Sequence, residues 1–550
     1  MMEVSTTNQP AHLTGFNAYD DPVLSEALKG DDLGWAEPRL RRMGALVGSV
    51  QVQEAARQAN RHLPELHTRD RVGNRVDRVE FHPAYHELMD LAFGGEVHSL
   101  AWTERRPGAH VARAALSFLW NQIENGVACP VGMAFGSVVA LRQHREIARE
   151  WLPKLLSASY DPRPVPVTEK TAVTIGQTLT ERQGGSDLRA TATRATRIPG
   201  TPDEYELTGE KWFCSAPMSD AFFTLAVTTG GISCFFVPRV VADGSRGGLL
   251  FHRLKDKCGN RSNATAELSF ERAWARLVGE EGHGIGTMVS MSHLTRFDFA
   301  VGSAGLMRQT VLQTVHRVTH RRAFGHALAE LPLMTNVVAD LALETEAALA
   351  LTFRVARAFD RAEEDPAEGL LARLATPLAK YWICKRTPAV VEEALQCWGG
   401  DGYVEESLVA RLYREAPLNG IWEGSANVVC LDVLRVLSRH QEAREVYLAE
   451  VNRARGTDRR LDRFVAGVEA EMTRALREEA RCRRLVERMA VALQGSLLVR
   501  HAPAEVADAF CASRLEGDWG HAFGTLAPGG GHERILERAR VPAHVGREAE

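Results

Sequence analysis

The chain has 550 residues, of which 45% are hydrophobic and 25% charged, and its formal net charge is −4. This length exceeds what a single hydrophobic core fills, so we expect three or more packed modules, and the composition excludes a mostly disordered or fibrous chain. A nearly neutral chain has no global attraction to nucleic acid or anionic membrane, so any such binding needs a local patch.

The predicted elements follow one another as helices, a β module, and then more helices. Apolar residues recur at helical spacing from about residue 20 to 160, and they do so again beyond Gly286. Between these segments, short alternating or β-prone runs at 205–207, 221–227, 233–237 and 266–270 predict strands. This order predicts an α+β fold with segregated elements rather than a doubly wound sheet.

We divide the chain accordingly into a helical N-terminal domain (1–171), a β domain (172–284), a helical bundle (285–445) and an additional Arg-rich helical module (446–550). The glycine run Gly529–Gly531 predicts a loop near the end.

The cysteines and the apolar stretches exclude other classes of protein. The nine cysteines are scattered without a C-x-x-C pair, so we expect neither a disulfide framework nor a metal site. Residues 1–7 lack a basic segment followed by an apolar run, and no stretch reaches the ~18 apolar residues of a membrane span. We therefore expect a cytoplasmic protein without membrane contact.

Two stretches of the β module carry residues suited to binding a cofactor. In 179–187 (LTERQGGSD), two glycines let the backbone turn tightly and present amides to an anion or a flavin edge. In 211–215 (KWFCS), aromatic faces at a strand end can cover an isoalloxazine ring. Taken alone, each is more often ordinary β structure, a Gly-Gly turn or a sheet core.

Two stretches of the helical part are also informative. The segment 319–325 (THRRAFG) places arginines after a helix, where they can pair with a pyrophosphate or only complement the helix dipole. The segment 396–406 is followed by 421–427 (IWEGSAN), in which Glu423 stands between an aromatic residue and a glycine. A carboxylate desolvated there is suited to proton abstraction, and the alternative is that Glu423 caps the following helix. Rossmann and P-loop glycine motifs do not occur in the sequence.

In this order, the four stretches resemble those of the acyl-CoA dehydrogenase family. The resemblance implies a helical N-terminal domain, a central β-barrel-like domain and a C-terminal four-helix bundle that enclose FAD. The forms TERQGGSD, EKWFCSAPMSDA, SCFFVPR and RLKDKCGNRSNA, together with the extra C-terminal helical module, resemble the AidB-type alkylation-response branch. The resemblance extends from about residue 14 to 515.

The resemblance also implies a set of site residues. Glu423 takes the position of the catalytic base, and Thr180, Ser215 and Arg296 those of substrate contacts. The implied FAD contacts are Gln177, Thr178, Leu179, Thr180, Gly184, Gly185, Ser186, Trp212, Phe213, Cys214, Ser215, Arg321, Phe324, Gln396, Gly399, Gly400, Ile421, Trp422, Gly424, Ser425 and Asn427. In the family, Arg321 and the unit formed by Gln396, Gly399 and Gly400 would reach FAD across a subunit interface, which implies a homotetramer.

Two functions follow from the resemblance. The first is an FAD-dependent acyl-CoA dehydrogenase that acts on a short or branched acyl-CoA such as isovaleryl-CoA. The alternative is a flavoprotein that binds double-stranded DNA through the C-terminal module and protects it from alkylation, with weak or vestigial dehydrogenase activity. Residues 431–500 carry 15 arginines against 11 acidic residues, and phosphate binding depends on how such cations cluster.

Overall fold

The chain forms two compact units in a computed structural model that describes residues 8–542 apart from Trp519, His521, Pro528 and Gly530. The barrel unit comprises 54–105 and 124–298, and the helical unit comprises 1–53, 106–123 and 299–550. Residues 1–7 and part of the predicted loop at Gly529–Gly531 lie outside the described residues.

The helices are α1 (Pro22–Ala27), α2 (Glu37–Val47), α3 (Val50–Arg61), α4 (Pro83–Gly94), α5 (Leu100–Thr103), α6 (Ala109–Trp120), α7 (Asn125–Leu141), α8 (Arg145–Leu155), α9 (Gly284–His320), α10 (Pro332–Arg361), α11 (Pro366–Trp398), α12 (Leu408–Glu415), α13 (Ala426–Arg439), α14 (Gln441–Val451), α15 (Arg459–Ala475), α16 (Cys482–His501), α17 (Ala504–Phe510) and α18 (His532–Arg538). The strands are β1 (Glu65–Arg69), β2 (Arg75–Glu80), β3 (Ile175–Thr178), β4 (Arg194–Arg197), β5 (Glu204–Ser215), β6 (Ala221–Thr228), β7 (Gly231–Pro238), β8 (Leu249–Leu254), β9 (Thr265–Val278), β10 (Arg322–Ala323) and β11 (His326–Ala327).

The strands of the barrel unit close into a ring. β5 pairs with β9, β9 with β7 and β7 with β6, all antiparallel, and β4 joins β6 in parallel and β5 in antiparallel fashion. β3 extends along β6, and β8 extends along β9. Alternate side chains point inward, so Tyr205 and Leu207 of β5 meet Leu268 and Phe270 of β9 in the barrel core. The predicted α+β fold with a central β-barrel-like domain is confirmed.

A hairpin of β1 and β2 interrupts the segment 20–160, which the periodicity predicted to be mostly helical. The Asp70 carboxylate accepts hydrogen bonds from the Val72 and Asn74 N–H groups at 2.9 Å, and Gly73 adopts φ +93° in the turn. β1 contains a single apolar residue, Leu66, and four of the six residues of β2 are charged, so the two-residue apolar alternation that identifies strands is weak here.

Long helices dominate the helical unit. The middle of α10, residues 338–349, is buried on every face, as expected for a helix enclosed by a bundle. The helices predicted after residue 285 are therefore present, while the exact domain boundaries stay predictions. Among the described residues, no helix is long and apolar enough to cross a membrane.

Buried ion pairs attach the helices after residue 446 to this bundle. Arg514 pairs with Asp340 and, at 3.1 Å, with Glu344, both on α10. Arg354 of α10 pairs with Glu450 of α14 at 3.0 Å. Removing one partner of such a pair leaves an uncompensated buried charge, which typically costs about 3–5 kcal/mol. These buried ion pairs therefore hold the additional module against α10.

Candidate functional site

The loop after β3 is attached to the end of β5. The Trp212 N–H donates to the Thr180 carbonyl at 2.8 Å, and Thr178 Oγ1 donates to the Phe213 carbonyl at 3.1 Å. Within the loop, the Gly184 N–H donates to the Glu181 carbonyl at 3.0 Å, which closes a tight turn. The structure therefore brings the predicted residues 177–186 and 212–215 together.

A β-bulge near the end of β5 determines which side chains point into the barrel core and which point outward. Lys211 pairs with Leu268 of β9, but Cys214 pairs with Ala266, so one extra residue is inserted between them. The alternation is inverted by this insertion, because Cys214 enters the barrel core while Phe213 turns outward with 45% of its surface exposed. Phe213 is thus not the sheet-core residue that its sequence context favours, and the Cys214 side chain is taken up by core packing.

A buried ion pair holds the loop against the barrel. Lys211 Nζ lies 2.7 Å from Glu181 Oε1 and donates to the Leu225 carbonyl at 2.9 Å. Burial alone would raise the pKa of Glu181, but the Lys211 ammonium and the hydrogen bond from Thr193 lower it to about 2. The carboxylate therefore stays ionised and anchors the loop. Both residues lie inside the quoted motifs, yet their pairing has no local sequence signal.

A second lysine, Lys255, lies over the two aromatic rings of the bulge. Its Nζ is 3.8 Å from the centroid of Trp212 and 4.5 Å from that of Phe213, and it pairs with Glu267 at 2.7 Å. Such cation–π contacts fix the orientation of both rings. Sequence reasoning missed this residue.

The residues around this loop fit a flavin. Gln177 Oε1 is buried and accepts no hydrogen bond from any described residue, so it needs a donor from a bound molecule or water. A Cβ at Gly185 would lie 2.4 Å from Thr180 Oγ1, so the loop is closed too tightly for any larger residue at this position. An unsatisfied acceptor, several hydroxyls and an exposed aromatic face form a donor and acceptor set that suits a flat heterocycle.

The predicted substrate contacts lie in the barrel unit. Ser215 Oγ is 3.4 Å from Thr265 Oγ1 at the end of β5, and Thr180 stands in the loop after β3. Arg296 is buried on α9, one residue after Thr295, whose hydroxyl donates to the Ser292 carbonyl. The substrate roles of these residues stay predictions.

Glu423 lies in a left-handed turn of the helical unit. Its φ is +53° and that of Gly424 is +105°, and a non-glycine residue in this region costs about 1–2 kcal/mol. α13 begins at Ala426 with Ser425 at the N-cap, so Glu423 stands two residues before the capping position. The alternative that Glu423 is merely the cap of this helix is therefore not supported.

Contacts from α9 and α11 hold this turn. Trp422 stacks on Phe299 of α9 with ring centroids 4.7 Å apart, and its Nε1 donates to Asn419 Oδ1 at 3.0 Å. Asn419 Nδ2 in turn donates to Ser303 Oγ of α9 at 3.1 Å. Lys380 of α11 donates through Nζ to the Gly424 carbonyl. The sequence placed Glu423 just before an apolar helix, but it predicted neither the left-handed turn nor the supports of that turn on the two long helices.

The remaining predicted residues of the segment are exposed. Ile421 is 62% exposed, and Ser425 and Asn427 are also exposed at the start of α13.

The predicted residues Arg321 and Phe324 occupy the end of α9 and the turn between β10 and β11. Phe324 adopts φ +52° and is 90% exposed. Arg317, one turn earlier, pairs with Asp401 and lowers the pKa of that carboxyl. Asp401 follows the predicted residues Gln396, Gly399 and Gly400 at the end of α11, so this ion pair links the two segments.

Three family models match consecutive parts of the chain. They are the adaptive response protein AidB N-terminal domain at residues 8–162, the acyl-CoA dehydrogenase middle domain at 176–273 and the acyl-CoA dehydrogenase C-terminal domain at 282–438. The fold and the matched domains together define an acyl-CoA dehydrogenase-like protein.

Individual relatives agree with this class. The chain is 42% identical over 512 residues, 92% of its length and 94% of the relative's, to the putative acyl-CoA dehydrogenase AidB of Escherichia coli. It is 31% identical to acyl-CoA dehydrogenase family member 11 of Caenorhabditis elegans, over 77% of its length and 71% of the relative's. The chain belongs to the AidB-type branch of the acyl-CoA dehydrogenase family.

Solved structures give the same result. Caenorhabditis elegans ACDH-11, solved in complex with C11-CoA, superposes with a TM-score of 0.84 at 27% identity, covering 98% of this chain and 96% of that one. A Bacillus anthracis acyl-CoA dehydrogenase complexed with FAD superposes with a TM-score of 0.65 at 20% identity, covering 88% of this chain and 83% of that one, and supports the fold.

Proposed function

We propose that the protein is an FAD-dependent acyl-CoA dehydrogenase in which Glu423 removes the α-proton of an acyl-CoA thioester. The observation that carries this proposal is the backbone at Glu423, which is held in a left-handed turn before α13 by contacts from two helices. Backbone strain of this kind concentrates at functional sites. The family relation and the relatives solved with FAD and with an acyl-CoA support the same chemistry.

In this proposal, the loop after β3 and the bulge of β5 hold FAD. Gln177 offers its unsatisfied acceptor to an N–H group, the hydroxyls of Thr178, Thr180 and Ser215 supply further partners, and Phe213 presents an aromatic face. Bound FAD supplies the acceptor for the hydride that leaves the β-carbon of the substrate.

The chain itself contributes binding, orientation and proton transfer. A thioester α-proton is only weakly acidic, so the carbonyl oxygen must be polarised, and the Glu423 N–H is the donor that we assign to it. The Glu423 carboxylate then takes the proton. Thr180, Ser215 and Arg296 are proposed to orient the thioester, and a short or branched acyl-CoA such as isovaleryl-CoA is the proposed substrate class.

Replacing Glu423 with Gln tests the proposal, with the exposed Glu406→Gln as the matched control. Because a general base contributes about 10²–10⁴-fold, Glu423→Gln should lower flavin reduction by isovaleryl-CoA or a C11 acyl-CoA, under anaerobic conditions, by at least that range. Glu406→Gln should leave it unchanged. Equal reduction rates in both variants, or purified protein that neither contains nor takes up FAD, would exclude the proposal.

The second candidate function is contact with duplex DNA in an alkylation response. Its support is a set of exposed arginines in the helices and turns of the C-terminal module, Arg455, Arg459, Arg477, Arg483 and Arg484. Many neighbouring arginines are already paired, such as Arg460 with Asp458 and Arg463 with Glu516. We therefore expect modest DNA affinity with a shallow salt dependence.

A gel shift on duplex DNA between about 50 and 200 mM salt measures both quantities, the affinity and its salt dependence. Tight binding that weakens by orders of magnitude over this range, and that is lost in Arg483→Ser/Arg484→Ser, would instead make DNA contact the main function.

A further inference from the structure

One face of α11 carries the residues that support the segment before α13. Arg373, Lys380 and Cys384 are spaced by seven and four residues, so they lie on the same side of the helix. Arg373 forms a bidentate pair with Asp432 of α13 at 2.6 and 3.0 Å. Cys384 accepts a hydrogen bond from Ser303 of α9 at 3.3 Å, and Ser303 accepts from Asn419. Lys380 lies between these two supports.

Lys380 is an unusual residue for a helix core. Its side chain is almost completely buried, with 1% of the residue exposed, and its ammonium donates to the carbonyl of Gly424. Burial of an ammonium is unfavourable unless specific acceptors replace water, so the acceptors around Lys380 must compensate for its lost hydration. The acceptor that it meets is the Gly424 carbonyl, in the second peptide group after Glu423.

The geometry points to Lys380 as a positioning residue for the proposed base, an inference that rests on the proposed function of Glu423. The left-handed turn at Glu423 and Gly424 aims the carboxylate, and the Lys380 hydrogen bond fixes the carbonyl at the end of that turn. Loss of the donor frees the turn to relax towards ordinary backbone angles, so the carboxylate no longer points in one direction. Proton abstraction depends steeply on such alignment.

The alternative is that Lys380 only holds α13 and the preceding segment in place. Other contacts of this segment distinguish the two roles. The Arg373–Asp432 pair and the stacking of Trp422 on Phe299 hold α13 and the preceding segment independently of Lys380. Removal of the Lys380 ammonium should therefore leave the helices attached and affect the turn.

The experiment compares Lys380→Met, Lys380→Gln and Lys380→Arg with Lys385→Met, which removes an exposed lysine from the same helix. The readout is the exchange of thioester α-protons with solvent deuterium, followed by NMR on isovaleryl-CoA, together with the thioester Kd from calorimetry. We expect Lys380→Met and Lys380→Gln to slow exchange by about a hundredfold with Kd changed less than threefold. Lys380→Arg should restore most of the rate, because it keeps a cationic donor, and Lys385→Met should match the wild type.

Several results would overturn the inference. If both neutral variants exchange the α-protons as fast as Lys385→Met does, Lys380 has no positioning role. The same conclusion follows if thioester binding weakens by the same factor as the exchange rate. Failure of Lys380→Arg to recover the rate, when the variant folds with wild-type Tm, gives the same conclusion. Should Lys380→Met not fold, Lys380→Gln carries the comparison. If Glu423→Gln exchanges at the wild-type rate, the proposed function itself fails, which separates the two ideas.

Discussion

Two residues at the candidate site adopt backbone angles that side chains usually avoid. Glu423 has φ +53° and Phe324 has φ +52°, and each is followed by a glycine that also has positive φ. In the sequence, only the following glycine indicates such a turn, because glycine adopts positive φ without a steric penalty. The direction of the Glu423 side chain depends on contacts between the turn and helices distant in sequence, so the sequence alone does not predict it.

Elsewhere in the helical unit, the histidine His110 allows a test of stability at the level of a single residue. Burial at the start of α6 lowers the pKa of His110 to about 4, and its ring stacks on Phe359. The backbone N–H of His110 donates to Asp360 Oδ1 at 2.7 Å, and burial raises the pKa of that carboxyl to about 6. The unfolded chain therefore binds a proton at His110 between about pH 6.5 and 4 that the folded chain does not.

We predict that His110→Gln becomes more stable relative to wild type as the pH falls. The difference in free energy of unfolding should shift by about 3 kcal/mol in favour of the variant between pH 7 and 4, because the variant lacks the group whose protonation favours unfolding. Urea titrations at several pH values measure this difference. The exposed His283→Gln is the control, and a difference for His110→Gln that does not vary with pH would contradict the prediction.

At the level of elements, four barrel strands (β5, β6, β7 and β9) and the long helices were predictable from the sequence, and the site supports were not. The runs 221–227 and 233–237 became β6 and β7, because alternating or β-branched residues encode strands locally. The bulge in β5, the Lys211–Glu181 pair and the Lys380 contact are set by partners at distant sequence positions. The β1–β2 hairpin was missed for a different reason, because its strands, although adjacent in sequence, lack an apolar alternation.

Lys211→Met tests whether the buried pair supports the loop after β3. The substitution leaves Glu181 buried without its cation, so we expect a loss of about 3 kcal/mol in unfolding free energy and weaker retention of FAD. Arg272→Met breaks the exposed pair with Glu206 on the same barrel and should cost less than about 1 kcal/mol. Thermal unfolding and the flavin absorbance of purified protein measure both effects. Equal effects of the two substitutions would show that burial of the pair is unimportant.

Across the whole molecule, the exposed apolar side chains of the helical unit suggest where copies of the chain associate. Phe324, Leu333 and Tyr403 are each more than three quarters exposed, with exposed fractions of 90%, 83% and 78%. Large apolar groups exposed to this degree are typical of interaction sites. If the chain forms the homotetramer that the resemblance implies, we expect the β10–β11 turn and its surroundings to contribute to the contact.

We predict that Phe324→Ser lowers the mass of the assembly in solution, measured by light scattering after gel filtration, because the most exposed aromatic side chain of the contact is lost. FAD content should fall with it, since Phe324 is also a predicted cofactor contact. Val72→Ser, at an exposed apolar residue in the β1–β2 turn, should leave mass and flavin content unchanged. A Phe324→Ser protein of wild-type mass would locate the contact elsewhere.

The bulge between Lys211 and Cys214 makes this strand sensitive to chain length. Deleting one residue between Lys211 and Cys214 would remove the bulge but keep Cys214 opposite Ala266 in the barrel core, so one of the two aromatic rings, Trp212 or Phe213, would be lost. Substitutions here can keep both rings beneath the Lys255 ammonium, but a deletion cannot, because only one residue then stands between Lys211 and Cys214. Natural or engineered variants of this chain should therefore tolerate length changes in the turn at 242–247 and reject them at 211–214.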